Sequence, residues 1–600
     1  MSILAGIDIG NATTETAIAR KLEAGGLEFL GSSIVSTTGI KGTKDNIAGI
    51  FKSLKEGLED AGLRMEDLAE VRINEAAPVI GDVAMETITE TIITESTMIG
   101  HDPTTPGGVG VGVGISIGLE DLATASLEEE LIVLVSKAWD FQKASQLINK
   151  SLELGYKIAG AIIQKDDGVL INNRLDRTIP IIDEVTLFDK IPKNVLTAVE
   201  VAPVGKVIEV LSNPYGIATL FGLDSEETKS IVPISRALIG NRSAVVLKTP
   251  LGDVKARSIP AGIINIEGER TRQEVDVEKG ADYIMESLER AYPIRDIRGE
   301  SGTNAGAMLE KVRHTMAQLT SKDYQAIEIK DLLAVDTISP QKVQGALAGE
   351  YSMENAVGIA AMVSSDRLQM DLIADDLERD FKMPVSVGGV EAEMAIKGAL
   401  TTPGTSSPIA ILDLGAGSTD ASMLIDGKIY SSHLAGAGNM VTLLIKTELG
   451  LDSMELAEDI KKYPLAKVES MFHIRHEDGS VEFFDQALDP RIFARIVIVK
   501  EGDLIPINTD HSLENIVHVR QESKKKVFVV NAIRALKRVC PTGDIRSIDH
   551  VVLVGGSSLD FEIPEFITDR LSFYGVVAGR GNIRGVEGPR NAVATGLVLA

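Results

Sequence analysis

The stretch Asp8-Ile9-Gly10-Asn11-Ala12-Thr13-Thr14-Glu15 ends one apolar strand, Ile3–Ile9, and begins another, read over Glu15–Arg20. Gly10 permits the tight turn between them. The turn amides and the hydroxyls of Thr13 and Thr14 make a donor-rich concavity suited to phosphate oxygens. Asp8 stands where a carboxylate can hold a metal-bound water. The same order of acid, apolar residue, glycine, small residues and hydroxyls returns 405 residues later as Asp413-Leu414-Gly415-Ala416-Gly417-Ser418-Thr419-Asp420. One D-x-G-x-x-[ST] is common in polar hairpins. Two copies, each in a strand–turn–strand–strand unit (residues 3–35 and 408–450), mark an internal duplication.

A third motif lies near the end. The apolar strand Val551–Val554 runs into Gly555-Gly556-Ser557-Ser558, where paired glycines let backbone pass close to a flat ligand such as a nucleoside. Pro564–Leu571 then reads as helix, and Gly588-Pro589-Arg590-Asn591-Ala592 opens the last one.

Between the hairpins the pattern predicts a helix over Asp45–Ala61, with Ile47, Ile50, Phe51, Leu54 and Leu58 near a 3.6-residue period, and a strand over Glu70–Asn74. The alternation Gly107–Gly114 reads as an ordered strand with closely approaching backbone. Leu131–Ser136, Phe141–Leu154 and Ile158–Ile163 form a βαβ unit. Residues 256–300 read as strands with polar connections. Residues 300–400 read as mainly helical, with Asn304–Leu319 and Met353–Arg379 strongest. Residues 470–520 are β-rich, and 525–600 alternate helix and strand.

Six hundred residues, 44% hydrophobic, require several cores. A net charge of −27 without a basic patch argues against nucleic acid and anionic membrane surfaces as partners. The single cysteine, Cys540, excludes a disulfide framework or Cys-based cluster within one chain and fits a reducing cytosol. No apolar run reaches the ~18–20 residues of a membrane span, and the N-terminus shows no signal peptide. There is no P-loop, no D-x-H-x-x-G and no H-E-x-x-H. The G-x-S-x-G at Gly114–Gly118 continues the Gly/Val alternation and reads as a chance match.

Together the three motifs resemble the phosphate 1, phosphate 2 and adenosine motifs of the actin/Hsp70/sugar-kinase superfamily. Leu434-Ala435-Gly436-Ala437-Gly438 resembles its connecting glycine segment, and Glu458-Asp459-Ile460-Lys461-Lys462 resembles the helix that brackets adenine. RINEA at 72–76, GDVAMETITETIITESTMIG at 81–100, SNPYGIA at 212–218, RALIGNRSA at 236–244 and GRGNIRG at 579–585 look like the large subunit of diol/glycerol dehydratase reactivase. That resemblance extends over nearly the whole chain.

The resemblance implies an α/β fold: a duplicated actin/Hsp70-like ATPase domain carrying a large inserted α/β swivelling domain and a smaller β-rich insert. The expected segments are 1–85 (ATPase domain with phosphate 1), 86–255 (swivelling, partner-binding domain), 256–300 (connector), 301–465 (ATPase domain with phosphate 2), 466–522 (β-rich insert) and 523–600 (ATPase domain with the adenosine motif). It implies an ATP-dependent factor that releases damaged cobalamin from an inactivated adenosylcobalamin-dependent diol or glycerol dehydratase, so that intact coenzyme rebinds. The implied partners are the dehydratase and a small reactivase subunit, two large with two small. The implied location is the cytoplasm, with a bacterial microcompartment compatible.

Implied ligands are ATP or ADP and Mg²⁺. Asp8 and Asp413 are expected to hold Mg²⁺ through water, and Glu391 or Glu393 to polarise the attacking water. Gly10, Asn11, Ala12, Thr13, Gly415, Gly417, Ser418 and Thr419 are expected at the phosphates. Glu458, Asp459, Lys461, Lys462, Gly555, Gly556, Ser557 and Arg590 are expected at the nucleoside. The resemblance further implies a divalent-metal site, Mg²⁺ or Ca²⁺, at Thr105, Asp166 and Asp183 in the inserted domain. Turn capping by these residue types accounts for each one individually just as well. A small-molecule kinase of the same superfamily and an actin-type filament remain alternatives. An iron–sulfur activase would need about four thiolates and ranks last.

Overall fold

The first hairpin forms as its spacing requires. In the computed structural model β1 (Ile3–Ile9) runs antiparallel to β2 (Thr13–Lys21), and Gly10 N donates to Thr13 O at 2.9 Å. β3 (Leu27–Ser36) extends the sheet beyond β2. β4 (Leu68–Glu75) and β5 (Val385–Val390) join in parallel on the other side, giving the order β5-β4-β1-β2-β3. The structure describes residues 2–600 except 24–25, 76–78, 81–105, 186–187, 205, 226, 229–230, 232–234, 236–237, 239–240, 249–260, 321, 343–350, 364–366 and 510.

The second sheet repeats the first strand for strand. β6 (Ile409–Leu414), β7 (Ser418–Ile425) and β8 (Lys428–Ala435) are antiparallel neighbours. β9 (His550–Val554) and β10 (Val577–Arg580) add in parallel, giving β8-β7-β6-β9-β10. The registers match as well: Asp8 lies opposite Glu15, and Asp413 opposite Asp420. The duplication expected from the paired motifs is thus present in the fold.

Helices cover the sheets and join the halves. α1 (Asn46–Asp60) covers the first sheet with Ile50, Leu54 and Leu58 buried at the spacing expected above. α2 (Glu391–Ala399) packs on β6 and β7, and α3 (Ala592–Leu599) on β1 and β2. α2 and α3 also lie against each other, and Met394, Ile396, Val593 and Leu597 belong to one buried cluster with Ile409 and Ile411 of β6. A Cβ built on Gly398 would stand 1.8 Å from Ala592 O, and one on Gly596 1.9 Å from Met394 O. The crossing is as close as glycine allows.

The inserted region holds a six-stranded sheet. Gly110–Gly118, Glu130–Val135, Lys157–Ile163 and Ile181–Ile182 are parallel neighbours, and Leu196–Val201 and Ser243–Leu247 extend it antiparallel. Ser116 of the G-x-S-x-G is buried in strand, donating to Pro192 O at 2.9 Å and accepting from Val195 N at 3.1 Å, so it is no nucleophile elbow.

Two stretches differ from the sequence reading. Met353–Val363 lies in a strand, Tyr351–Val363, paired with Ile329–Lys342; helix begins only at Arg367. The run Val357–Val363 is buried on both faces, so its apolar residues carry no periodicity that separates strand from helix. Within 256–300 a helix, Ala281–Ala291, accompanies the strands Ile263–Gly268, Arg272–Asp276 and Ile294–Gly299. These elements share one core with Asn304–Thr320 and the long hairpin.

A five-stranded antiparallel sheet over Leu465–Pro506 forms the small insert. It is tied down by Arg520, wholly buried, which bonds Glu477 of the insert at 2.8 Å and Glu562 at 2.7 Å. Buried Lys524 meets Asp560 and Glu562 beside it. Among the described residues no helix is long and apolar enough to cross a membrane.

Candidate nucleotide site

The two hairpins converge above the N-termini of α2 and α3. A Cβ on Gly417 would lie 2.6 Å from the Asn11 side chain, so the hairpin tips touch across the cleft. The turns close alike: Gly415 N donates to Ser418 O at 3.1 Å, as Gly10 N does to Thr13 O. Ala12 is exposed at the first tip, and its carbonyl accepts from Thr37 N.

Glu391 is the first residue of α2, where helix-end amides favour a carboxylate. Lys41 reaches it from the loop between β3 and α1, donating at 2.8 and 3.1 Å, with only 3% of its side chain exposed. That loop turns through Gly39 and Gly42, both at positive φ (67° and 81°). It is pinned by buried Asn46, whose Oδ1 accepts from Gly42 N and Thr43 N. Glu393, two residues on, is exposed. Asn74 on β4 donates to Asp8 Oδ1 at 2.6 Å and accepts from Ile9 N.

Five carboxylates therefore influence one another: Asp8, Glu15, Glu391, Asp413 and Asp420. Burial raises Asp413 to about 8, reinforced by Asp420 and Glu391. Burial likewise lifts Asp8 well above the usual range, with Glu391 the next cause. Burial works against the charge on Lys41, but Glu391 and Asp8 outweigh it and hold the ammonium above the ordinary lysine range. For His433, cross-strand from Asp420 at 3.1 Å, burial again opposes the charge, and Asp420 outweighs it and raises the imidazole.

A pH dependence follows. Asp413 holds its proton to about pH 8 when folded but releases it near 3.8 when unfolded. The folded state thus binds more protons between these values, and stability falls as pH rises through the window. Denaturation of nucleotide-free wild type and Asp413→Asn at a series of pH values should show wild type losing ground to the variant from about pH 4 to about pH 8. A constant difference would contradict this.

Gly555 has φ 85°, and a Cβ there would sit 2.2 Å from Asp413 Oδ1. Ser557 Oγ donates to Gly415 O at 2.8 Å. Lys461 Nζ donates to Gly438 O (3.0 Å), Thr442 Oγ1 (2.8 Å) and Glu458 (2.6 Å). Lys462 reaches the other oxygen of Glu458 at 2.8 Å. Burial opposes the charge of Glu458, but Lys461 overcomes it and brings the carboxyl down to about 2. Asp459 turns away to Lys500 of the small insert at 2.9 Å. Thr419, wholly buried, donates to Gly436 O at 2.9 Å, and Ser418 donates to Asp420 at 2.9 Å. Arg590 bonds Thr13 and Glu15 while its guanidinium lies about where a Gly556 side chain would be.

Of the inserted-domain trio, two members fall among the described residues. Thr105 lies outside them. Asp166 is exposed. Asp183 is buried and accepts at 2.8 Å from Gly168 N, the first residue of the short helix Gly168–Asn172 that follows the neighbouring parallel strand.

Comparison with known proteins decides the relationship. Residues 275–600 match the family described as diol dehydratase reactivase ATPase-like domain, and residues 93–254 the DD-reactivating factor swiveling domain. The chain belongs to the diol dehydratase reactivase family. It is 59% identical over its whole length, and 98% of the relative's, to the propanediol dehydratase-reactivating factor large subunit of Salmonella typhimurium. It is equally close to the diol dehydratase-reactivating factor large subunit of Klebsiella michiganensis. A solved glycerol dehydratase reactivase is 62% identical with TM-score 0.71, covering all of this chain and 99% of that one. A nucleotide-free diol dehydratase-reactivating factor is 59% identical with TM-score 0.72 and the same coverage. The fold of this reactivase-family chain is accordingly the duplicated actin/Hsp70-like ATPase fold with its inserted swivelling domain.

Lys41, Thr442 and His433 belong to none of the motifs legible in the sequence, and Asn74 lies in the RINEA segment with no site role legible there. Lys41 alone leaves a trace there, a lysine between two glycines in a short loop.

Proposed function

We propose that this chain is the nucleotide-hydrolysing large subunit of a dehydratase-reactivating factor. It uses ATP to release damaged cobalamin from a diol or glycerol dehydratase so that intact coenzyme rebinds. The observation that carries the reading is the convergence of two equivalent acid-bearing hairpins on the Lys41–Glu391 pair, in a chain related end to end to reactivating factors. A small-molecule kinase finds no support in that full-length relationship.

The donor set suits a hard cation. It is all oxygen, and burial, reinforced by the neighbouring acids, holds Asp8 and Asp413 above the usual carboxylate range, where added positive charge would be welcome. Among the described residues no three acids or histidines stand close enough to ligate an ion directly, which favours Asp8 and Asp413 holding Mg²⁺ through its waters. Bound Mg²⁺ would supply positive charge between the phosphates.

Glu391 orients the attacking water, and Lys41 holds Glu391 in place at the cleft. Thr419 and Ser418 already spend their hydroxyls internally, and Gly415 N closes the turn, so the backbone amides of Ala416 and Gly417 provide most of the second phosphate contact. Lys461, Lys462, Glu458, Gly556 and Ser557 flank the nucleoside, and Asp459 braces the insert instead. Thr105, Asp166 and Asp183 are proposed to hold a second divalent ion, Mg²⁺ or Ca²⁺, toward a small subunit. Two large and two small subunits, working in the cytoplasm, complete the assembly.

The test is reactivation. Purified chain and small subunit are mixed with cyanocobalamin-blocked dehydratase, adenosylcobalamin, Mg²⁺ and ATP. Dehydratase activity should return, and should fail to return with Asp8→Ala or Asp413→Ala. Recovery unaffected by both changes would overturn the site assignment.

A further inference from the structure

The duplicated hairpins part company in what the residue opposite the leading acid does. Asp420 and Glu15 occupy the same register, each opposite its hairpin's leading acid. Asp420 spends its carboxylate inside its own sheet, on Ser418 and His433. Glu15, one methylene longer, reaches out of its half of the molecule. Its Oε1 accepts from Arg590 Nη1 at 2.8 Å, and its Oε2 from Asn591 N at 2.6 Å. Arg590 Nη1 also donates to Thr13 Oγ1 at 3.1 Å. The glutamate side chain is 9% exposed, so these are buried charge-assisted bonds.

The segment that Glu15 grips leads from the Gly555-Gly556 loop into α3. Pro589 O accepts from Gly555 N at 2.9 Å, and the Arg590 guanidinium packs within about 3 Å of the Cβ position of Gly556. Asn591 has left-handed backbone (φ 59°), which turns its amide toward Glu15 and starts α3. Residues 589–591 are therefore a strap between the Gly555-Gly556 loop and the first hairpin. A charge here is not neutral for the site, since Glu15 helps raise both Asp8 and Asp413. A carboxylate kept among four other acids needs a purpose that a neutral side chain could not serve.

We propose that Glu15 is a positioning residue that locks the first phosphate hairpin to the nucleoside loop through Arg590 and Asn591, so that the two close on a nucleotide as one unit. This rests on the nucleotide-site reading above. Thr13 is part of the same lock, its hydroxyl accepting from Arg590 and donating to Glu15 at 3.4 Å.

The test uses the full-length chain with ADP as probe. Glu15→Gln keeps the shape and removes the charge. Glu15→Gln and Arg590→Gln are each expected to weaken ADP binding about ten-fold by calorimetry, and the double variant no further, because the two act as one unit. Arg590→Lys, which keeps the charge, should lose less. Hydrogen exchange without nucleotide reads the coupling independently: Glu15→Gln should deprotect 589–595 as well as 10–17. The proposal is overturned if Glu15→Gln binds ADP like wild type, if the losses multiply, or if deprotection stays within 10–17. Should wild type itself not bind ADP, the nucleotide reading falls, and the exchange measurement still decides whether the strap is coupled.

Discussion

Lys41→Met is expected to cost about 10²–10³ in the rate of ATP hydrolysis, the scale seen when one electrostatic contact at a reacting centre is removed. Lys41 is the cation that the cleft acids share. Without it Glu391, whose side chain is 14% exposed, either carries an uncompensated charge or takes up a proton and can no longer orient water. Breaking a buried pair from one side costs about 3–5 kcal/mol, so stability should fall as well. The two effects separate in Lys41→Met/Glu391→Gln. Removing the orphaned charge should restore much of the stability and none of the activity. Steady-state hydrolysis and chemical denaturation on wild type, both single variants and the double variant check this. Hydrolysis within a few-fold of wild type in Lys41→Met would remove the lysine from the mechanism.

The second large effect is expected at the crossing of α2 and α3. Gly596→Ala places a methyl 1.9 Å from Met394 O, and Gly398→Ala one 1.8 Å from Ala592 O. Neither carbonyl is free to move, since each belongs to the partner helix or its first turn. The helices must separate, at about 1–3 kcal/mol for the added methyl, and Gly596→Val should cost more. α3 cannot retreat toward β1, because Gly6 already lies so close that a Cβ there would be 2.3 Å from Ala594 O. The loss should reach the cleft, since α2 carries Glu391 and α3 follows Arg590. Hydrogen exchange should rise together over 391–399 and 592–599, and ADP should bind more weakly. Unchanged exchange in Gly596→Ala would show that the crossing tolerates a side chain.

Elements set by neighbours in the chain are legible in the sequence. Each hairpin needs only a glycine turn and two apolar strands, and Gly10 and Gly415 mark them plainly. α1 shows its face because one side meets the sheet and the other meets water. Val357–Val363 reads as helix and folds as strand for the opposite reason: it is covered on both sides, so burial leaves no period in the sequence. Asp459 shows a related limit. It sits beside Glu458 in the chain, yet neighbouring residues on a helix do not share a face, and it meets Lys500 instead.

By itself the sequence of this chain determined that two phosphate-type hairpins exist, that they are copies, and which family the long idiosyncratic segments resemble. Those are properties of local order and of inherited spacing. Tertiary structure alone decided that Lys41, 350 residues before the Glu391 it serves, stands among the acids of the candidate site, and that Glu15 answers to Arg590, 575 residues away. The physical reason is that backbone turns are specified by residues a few positions apart, whereas the field at a buried carboxylate is the sum over whichever charges the fold brings near, and no spacing along the chain records that sum.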